Sequence, residues 1–286
     1  MNEKKAAFCL YSKEKADDGG IESLKVFLPS GERYINHNIV HSRAEASKCD
    51  TWRLSTVYFC DEAFDRVKPL TRSGAEWEMA LKLDGRPDFV GGYAHGDEVF
   101  QSINVKADGC EVALDSLTIP TRFEDLSFEV FSTGYDPIDS ATEVLLHYKK
   151  ITFEGLSVKV EQRVEWLGDY ALGRSYMAMM PPLKDVTDHY YTDKDPDKKP
   201  IKLAEDVSGS GSDSVCLCGE SGFTFEMKVP KYLADKENGN SFLVTDNGGV
   251  PYNKMYFVLH HGGSVNKGDV WETATEYSIF QKENIT

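Results

Sequence analysis

Apolar and polar residues alternate along most of this chain, in short runs that turn-forming residues separate. A period of two is typical of a β-strand with one buried face, and such runs recur at 24–28, 52–59, 77–83 and 99–105. A first strand is predicted from Ala6 to Tyr11. The one helix predicted in the first half, over 42–48, is too short to organise a domain. The pattern therefore predicts an all-β protein with mostly antiparallel strands and few short helices.

The clearest predicted element is a long hairpin in the middle of the chain. Residues 143–153 form its first strand, Glu154-Gly155 its tight turn, and 156–167 its returning strand. In the returning strand, the apolar residues share one face, with Gln162 as the exception, and the charged residues share the other. The apolar face carries Leu156, Val158, Val160, Val164 and Trp166, and the charged face Lys159, Glu161, Arg163 and Glu165. The charged face is either the wet side of an antiparallel sheet, which is the commoner case, or the floor of a shallow cleft for a saccharide.

A second stretch, from Asp88 to Glu98, concentrates titratable groups beside two glycines. Gly91 and Gly92 allow a sharp bend, and His95, Asp97 and Glu98 follow within a few residues. An acid/base site, a metal site or a polar sugar-binding rim could use this arrangement, and a plain solvated hairpin is the alternative. We predict that His95 and Glu98 line a cleft.

Charge and composition narrow the classes of partner. A net charge of −15 argues against nucleic acid and anionic membranes, which require a basic surface. It also weighs against a strongly anionic polymer, unless a local basic patch overrides the overall field. No apolar run reaches the ~18–20 residues of a membrane span. Six cysteines without C-x-x-C spacing predict reduced thiols, and we expect neither a structural metal nor a cofactor.

Organisation along the chain is predicted as one β-sandwich domain over 1–286, because 41% of the residues are hydrophobic and suffice for a large core. A Ser/Gly-rich stretch near 204–214 is predicted to be a flexible loop within it. The N-terminus does not resemble a signal peptide, so we expect a cytoplasmic protein, or one exported by a non-classical or phage-associated route. The sequence makes no prediction of oligomeric state.

Residues for proton chemistry are predicted on the first strand of the hairpin. His147 and Lys149 share a face there, so that a base and a group neutralising a sugar carboxylate could lie side by side, with Tyr148 next to them. An ordinary polar strand face is the alternative. Together with His95 and Glu98, His147 and Tyr148 form the predicted catalytic set. The predicted substrate-binding set is Tyr93, Asp97, Lys149, Glu161, Arg163, Arg174, His189, Tyr191 and His260.

The C-terminal half resembles the β supersandwich of galactose mutarotases and of several polysaccharide lyases. The resemblance is carried by the hairpin with its charged face, by Trp166, and by a last strand that begins at Lys267-Gly268-Asp269-Val270-Trp271 and closes on Tyr277-Ser278-Ile279. It covers about half of the chain. It implies a large two-sheet sandwich and a carbohydrate ligand, whereas the two catalytic histidine motifs of the mutarotases have no counterpart here.

Two functions of different class follow. The first is a carbohydrate-active enzyme, of lyase or epimerase type, that uses His and Tyr in acid/base chemistry on a saccharide. The second is a non-catalytic saccharide-binding or structural β module, such as part of a phage or cell-surface assembly. We favour the enzyme, because the His-Gly-Asp-Glu cluster at 95–98 is dense and the chain is large for a binding module.

Overall fold

The structure is a computed structural model that describes residues 5–16, 19–44, 47–72, 77, 79–93, 97–231, 241–246 and 248–281, without the side chains of 97, 231 and 258–261. The described residues form twenty-two strands and one 3-10 turn, Leu114–Ser116. The strands are β1 (Ala7–Ser12), β2 (Glu22–Ser30), β3 (Arg33–Arg43), β4 (Asp50–Cys60), β5 (Arg66–Pro69), β6 (Leu81–Lys82), β7 (Phe89–Val90), β8 (Asp97–Ala107), β9 (Cys110–Glu111), β10 (Thr121–Phe123), β11 (Asp125–Tyr135), β12 (Glu143–Glu154), β13 (Ser157–Trp166), β14 (Tyr170–Met180), β15 (His189–Thr192), β16 (Lys199–Pro200), β17 (Asp206–Ser210), β18 (Ser214–Cys218), β19 (Phe223–Lys231), β20 (Ser241–Asp246), β21 (Asn253–Val265) and β22 (Val270–Gln281).

The largest sheet folds over on itself between β4 and β8. Its strand order is β10-β1-β2-β3-β4-β8-β11-β12-β13-β22-β19-β18-β15-β16, with β5 on β4 and β9 on β8. The pairing of β4 with β8 is a single parallel bridge, Asp50 to Val99. The rings of His37 in β3 and Phe153 in β12 lie 6.0 Å apart, although four strand spacings of a flat sheet would separate them by about 19 Å. Strands β1–β5 and β10, the first leaf, therefore face the remaining strands, the second leaf.

A four-stranded sheet, β14-β21-β20-β17, extends the first leaf. The backbone N–H of Leu183 donates to the carbonyl of Leu70 at 3.0 Å, and Thr71 bridges to Pro182. Met180 and Phe257 of this sheet belong to the same buried cluster as residues of both leaves. The result is the all-β, two-layer antiparallel sandwich that the alternating pattern predicts.

The central hairpin is confirmed, with its two faces as predicted from Val158 to Trp166. Its turn lies one residue later than predicted, since Glu154 ends β12 and pairs with Ser157. Leu156, predicted on the apolar face, is 46% exposed because it lies in the turn, outside the ladder that would direct its side chain to the core. Gly155 takes a left-handed φ of 60° in the turn. The apolar residues of β13 are buried from Val158 to Trp166, and the charged residues between them are accessible. Gln162, the exception in the pattern, is also buried, and its Nε2 donates to the carbonyl of Met177 at 2.8 Å. It ties the second leaf to β14, because its amide reaches a backbone acceptor in the facing layer.

Two local predictions are wrong. The described residues of 42–48, which are 42–44 and 47–48, are not helical, since Ser42 and Arg43 end β3 and pair with Thr51 and Asp50 of β4. Pairing along a long strand outweighs the weak helical propensity of so short a segment. The strand predicted over 77–83 shrinks to Leu81–Lys82, with isolated bridges from the residues on either side.

The stretch predicted as a loop near 204–214 contains a strand. Residues 206–210 form β17, which pairs along its length with β20. Gly209 has a packing role there, because a Cβ at this position would lie 2.5 Å from Cε1 of Phe242. Small residues in this strand leave room for a ring of the neighbouring strand, which their composition alone does not indicate.

Several side-chain predictions hold. The methionines at 177, 179 and 180 are buried core residues, and the last strand runs from Val270 to Gln281. All six cysteines are free, and all but Cys110 are buried. A search of the described residues finds no helix that is long and apolar enough to cross a membrane.

Candidate functional site

Glu98, predicted to line a cleft, lies inside the sandwich with its side chain buried. The side-chain hydroxyl of Ser132 donates to its Oε1 at 2.6 Å, and the backbone N–H of Gly92 donates to its Oε2 at 2.7 Å. Nδ1 of His147 lies 2.9 Å from Oε1. The carboxylate is therefore enclosed by donors from three parts of the chain.

His147 continues this buried network toward the facing layer. Its Nε2 lies 3.2 Å from Oε1 of Gln162, whose amide nitrogen is already donating to Met177. Both ring nitrogens thus face acceptor oxygens of neighbouring side chains. Burial acts to raise the pKa of Glu98, but His147, then Lys149 and the Ser132 hydroxyl, outweigh it and hold that pKa well below its usual range. The network is a stabilised ion cluster inside the fold.

The predicted catalytic residues of β12 are divided between two faces. His147 and Lys149 share the inner face, as predicted, and both are buried, with Nζ of Lys149 donating to the carbonyl of Trp52 at 2.7 Å. Tyr148 points to the outer face, where burial and then Glu129 raise the pKa of its hydroxyl. The side chains of His147 and Tyr148 consequently lie on opposite sides of the sheet and do not face a common substrate.

The glycine bend before Glu98 is present. Gly91 and Gly92 have φ of 95° and 76°, the left-handed region that favours glycine. The half-buried ring of Tyr93 lies 4.8 Å from the guanidinium carbon of Arg53. His95 lies outside the described residues. The backbone of Asp97 begins β8, and its side chain is outside the description.

The other predicted binding residues do not converge. Glu161 and Arg163 lie on the outer face of β13, whereas His189 and Tyr191 lie on β15, four strand positions away, about 19 Å in a flat sheet. His189 pairs with Asp188 at 2.7 Å, and burial, followed by Cys216, raises the pKa of Tyr191. Arg174 is exposed on β14. The backbone of His260 lies in β21, and its side chain is outside the description.

A polar cleft of about 180 Å³ opens on the outer face of the first leaf. The strands β1 to β5 each contribute side chains to it, and the loop after β1 closes one side. Its lining residues are Ser12, Glu14, Lys15, Ala16, Ser23, Lys25, Asn38, Thr56, Tyr58 and Arg66. We call this the β1–β5 cleft.

A bulge in β4 builds the floor of the β1–β5 cleft. His37 pairs with Val57 and Ile39 with Leu54, so that Ser55 and Thr56 together oppose Asn38. The carbonyl of Thr56 accepts a hydrogen bond of 2.8 Å from Nδ2 of Asn38. This contact fixes the orientation of the Asn38 amide.

Two polar atoms of that floor lack a partner in the protein. Asn38 and Thr56 are only 4% and 3% exposed, and in the part of the chain that the structure describes no donor or acceptor reaches Oδ1 of Asn38 or Oγ1 of Thr56. Leaving a polar atom buried without a partner costs roughly 1–3 kcal/mol, so such atoms require an explanation. Here both lie in the wall of a cleft, where a bound molecule can supply the missing hydrogen bonds.

Positive charge predominates in the β1–β5 cleft. Lys15, Lys25 and Arg66 line it, against one acid, Glu14. Lys25 is half-buried on the floor, and no carboxylate of the described residues forms an ion pair with it. The Arg66 guanidinium lies 4.1 Å from the ring centre of Tyr58. In a chain of net charge −15, this is a local basic patch.

The β1–β5 cleft was not predicted, although the sequence contains a signal for it. Asn36-His37-Asn38 and Ser55-Thr56 place polar residues side by side within strands, where alternation requires an apolar residue at every second position. Such a run marks either a bulge or a polar surface that another group covers. Among the described residues, no group of three or more His, Cys, Asp or Glu side chains comes together to hold a metal ion.

Comparisons with known proteins extend the description of the fold. No protein-family model and no curated protein matches the sequence. Solved structures do match. The galactosidase domain of the α-galactosidase–sucrose kinase AgaSK superposes over 96% of this chain with a TM-score of 0.54 and 9% identity. The GH36 α-galactosidase AgaB from Geobacillus stearothermophilus superposes over 91% with a TM-score of 0.50 and 11% identity. A mutant of the heparan sulfate lyase HepC from Pedobacter heparinus covers 91% with a TM-score of 0.46 and 8% identity.

These matches concern architecture. The chain spans 42% of the AgaSK chain and 40% of the AgaB chain. At such low identity the likeness is one of fold alone, and it agrees with the large antiparallel sandwich described above. The more specific resemblance to galactose mutarotases stays a prediction.

Proposed function

We propose that this chain binds a saccharide in the β1–β5 cleft. The observation that carries the proposal is the pair of buried, unpartnered atoms in its floor, Oδ1 of Asn38 and Oγ1 of Thr56. A sugar hydroxyl can donate to the amide oxygen and either donate to or accept from the threonine hydroxyl. The cleft walls add the hydroxyls of Ser12 and Ser23, which suit the same kind of ligand.

The proposed ligand carries an acidic group, such as a uronate carboxylate or a sulfate. Lys25 on the floor has no carboxylate of the described chain to neutralise it, and Lys15 and Arg66 lie around the same cleft. A charged hydrogen bond from lysine to an anionic sugar contributes about 1.5–3 kcal/mol, more than a neutral one. This is the local basic patch that would override the overall negative charge.

The solved structures support the broad class only. AgaSK and AgaB are named as α-galactosidases, so the same architecture occurs in carbohydrate-active proteins. A carbohydrate ligand for this chain agrees with that occurrence and with the chemistry of the cleft. The reaction of those enzymes does not transfer, because the present chain matches about two-fifths of their length.

A titration with three matched sugar series tests the proposal. We would measure binding of galactan, galacturonan and sulfated galactan oligosaccharides by calorimetry, with Lys25→Ala as the test variant. Its matched control is Lys150→Ala, a half-buried lysine on the outer face of the second leaf. We expect an acidic series to bind, and Lys25→Ala to weaken binding about tenfold or more, which corresponds to 1.4 kcal/mol, with the control unchanged. Equal binding of all three series, or equal effects of the two variants, would contradict the proposal.

A lyase is the second candidate, since Tyr58 and Arg66 lie in the same cleft as Lys25. Elimination at a uronate needs a base, a group that neutralises the carboxylate, and a donor for the leaving oxygen. Lys25 would neutralise the carboxylate, and Tyr58, beside the Arg66 guanidinium, would take the proton from the carbon next to that carboxylate. As the carbon–oxygen bond to the leaving group breaks, Tyr58 would return that proton to the leaving oxygen. The product would contain a new carbon–carbon double bond, so we would monitor ultraviolet absorbance with galacturonan as substrate. Binding without any absorbance change would leave the chain a binding module.

A further inference from the structure

A second cleft lies directly beside the first. It has a volume of about 570 Å³ and a wider opening, and its lining includes Thr56, Tyr58, Pro69, Arg72, Leu183 and Pro251. Pro69 belongs to β5, whereas Leu183 and Pro251 belong to the connections around the four-stranded sheet. The second cleft therefore lies where the first leaf meets that sheet.

The two clefts share Thr56 and Tyr58. Both residues are on β4, and their side chains point to the same outer face because they are two positions apart. Tyr58 pairs with Pro69 of β5, which continues the surface from one cleft into the other. The clefts thus form one groove that crosses the strands and has Thr56 and Tyr58 in its middle.

The length of the groove exceeds that of a single sugar. From β1 to β5 it crosses four strand spacings, about 19 Å, before it reaches the turn at Pro251. A monosaccharide would occupy only one part of this distance. Several linked pyranose rings are needed to extend from Ser12 to Pro251.

The two ends of the groove differ in chemistry. The β1–β5 cleft offers the unpartnered floor atoms and Lys25, whereas the second cleft offers the apolar surfaces of Pro69, Leu183 and Pro251. The guanidinium of Arg72 lies 4.8 Å from the ring centre of Tyr252, which positions this cation at the edge of the second cleft. A sugar ring presents hydroxyls at its edge and C–H groups on its faces, so the second cleft suits ring faces and the first suits polar edges and acidic groups.

We infer that the groove binds an acidic oligosaccharide whose chain runs across β1 to β5 and continues to Pro251, with Arg72 as a binding residue for the far units. This inference rests on the proposed function and extends it from one sugar to a chain. It assigns Lys25 to ligands of every length and Arg72 to long ligands only, because the two residues line different clefts.

A length series tests the assignment. We would measure dissociation constants of the full chain for oligogalacturonates and for sulfated galactan oligomers from the monosaccharide to the hexasaccharide. For the parent protein we expect affinity to rise about tenfold or more between the shortest and longest oligomers. Arg72→Ala should abolish this gain and leave the affinity of the shortest oligomers unchanged, whereas Lys25→Ala should weaken binding at every length.

Lys68→Ala is the matched control, since Lys68 is a cation of the nearby strand β5 that pairs with Asp185 at 3.0 Å and lines neither cleft. Melting temperatures of all variants check that each is folded. Affinity that does not change with length, or an Arg72→Ala effect equal at all lengths, would overturn the groove while leaving the proposed single-sugar site intact. Absence of binding at every length in both series would overturn the groove and the proposed function together.

Discussion

Two polar regions on outer faces of the sandwich differ in how their groups are satisfied. The charged face of β13 contains alternating charges that pair along the strand, Lys159 with Glu161 at 2.9 Å and Arg163 with Glu165 at 3.1 Å. The floor of the β1–β5 cleft contains buried atoms of Asn38 and Thr56 that have no partner in the described protein. The first region satisfies its own charges, whereas the second leaves two buried polar atoms without a partner among the described residues.

This difference decides how strongly each region argues for a binding function. A period of two with charges on one side is what a solvated sheet face requires, and its exposed ion pairs contribute little to stability. A cleft floor with unpartnered buried atoms reduces stability instead, and it persists in a protein when the atoms serve another purpose. Unsatisfied polar groups of residues that also line a cleft, as Asn38 and Thr56 do, are therefore a stronger indication of a binding surface than the density of charge.

The largest expected effect comes from placing a charged side chain on the buried, apolar face of β13. Val160 is fully buried, and Val160→Asp loses about 1.5–3 kcal/mol of apolar burial and adds an unpaired carboxylate in the core. The sum approaches the whole stability of a typical domain, so we expect loss of the folded state. Circular dichroism would show the loss of β-sheet structure. Thr152→Asp, which places the same group on the outer face opposite Lys159, should fold normally. A folded Val160→Asp protein would mean that the assignment of the faces is wrong.

The second largest effect is expected at Glu98 in the interior, whose carboxylate contacts Gly92, Ser132 and His147. Glu98→Gln keeps the shape of the side chain but leaves Lys149 and His147 without their counter-charge. Breaking a buried pair in this way costs about 3–5 kcal/mol. We expect a lower free energy of unfolding in denaturant titrations, with ligand binding by the remaining folded protein unchanged. Loss of binding at unchanged stability would instead place Glu98 in the functional site.

Acid should affect the parent protein and this variant differently. The pKa of Glu98 is lower in the folded than in the unfolded state, so the folded protein binds fewer protons. The Glu98 carboxylate contributes its full stabilisation above its unfolded-state pKa near 4.5. This stabilisation is lost as the pH falls toward the pKa of the folded state. The parent should therefore lose stability below about pH 4.5 more steeply than Glu98→Gln does. Parallel acid curves would contradict the role of the carboxylate.

The fold was predictable because alternation reports burial directly. The hairpin of β12 and β13, its turn at Gly155 and the last strand follow from the period of two. The prediction of a helix over 42–48 failed because helical propensity is a local property and takes no account of pairing with a strand such as β4. The Ser/Gly-rich β17 was missed because the reason for its small residues, the ring of Phe242, lies on another strand.

The site was less predictable, since proximity in sequence does not give the direction of a side chain. His147 and Tyr148 are neighbours in the chain and lie on opposite faces of the sheet. Asn38 and Thr56 are eighteen positions apart, and the antiparallel pairing of β3 with β4 brings them together. Such a contact depends on pairing register, which a single strand does not encode.

Substitution of Thr56 tests whether the unpartnered hydroxyl of the cleft floor lowers stability and contributes to binding. Thr56→Val removes the unpartnered hydroxyl and keeps the volume of the side chain. Because a buried hydroxyl without a partner is unfavourable, the melting temperature should stay the same or rise. Ligand affinity should fall about fivefold, which corresponds to a lost hydrogen bond of ~1 kcal/mol. Thr152→Val, on the outer face of the second leaf, is the control and should change neither quantity. A Thr56→Val protein that melts lower and binds normally would show that the hydroxyl has a structural partner.

The smallest expected effect is at the charged face itself. Lys159 pairs with Glu161, and both side chains are more than two-fifths exposed. Exposed pairs contribute about 0.2–1 kcal/mol, and salt screens them further, so Lys159→Ala should change the free energy of unfolding by less than about 0.5 kcal/mol. It should leave saccharide affinity unchanged, because the residue is on the second leaf and the proposed groove is on the first. Denaturant titration and calorimetry with the best ligand from the length series would measure both. A marked loss of affinity here would move the binding surface from the cleft to the charged face of β13, since removing one solvated lysine can weaken binding only where the ligand contacts it.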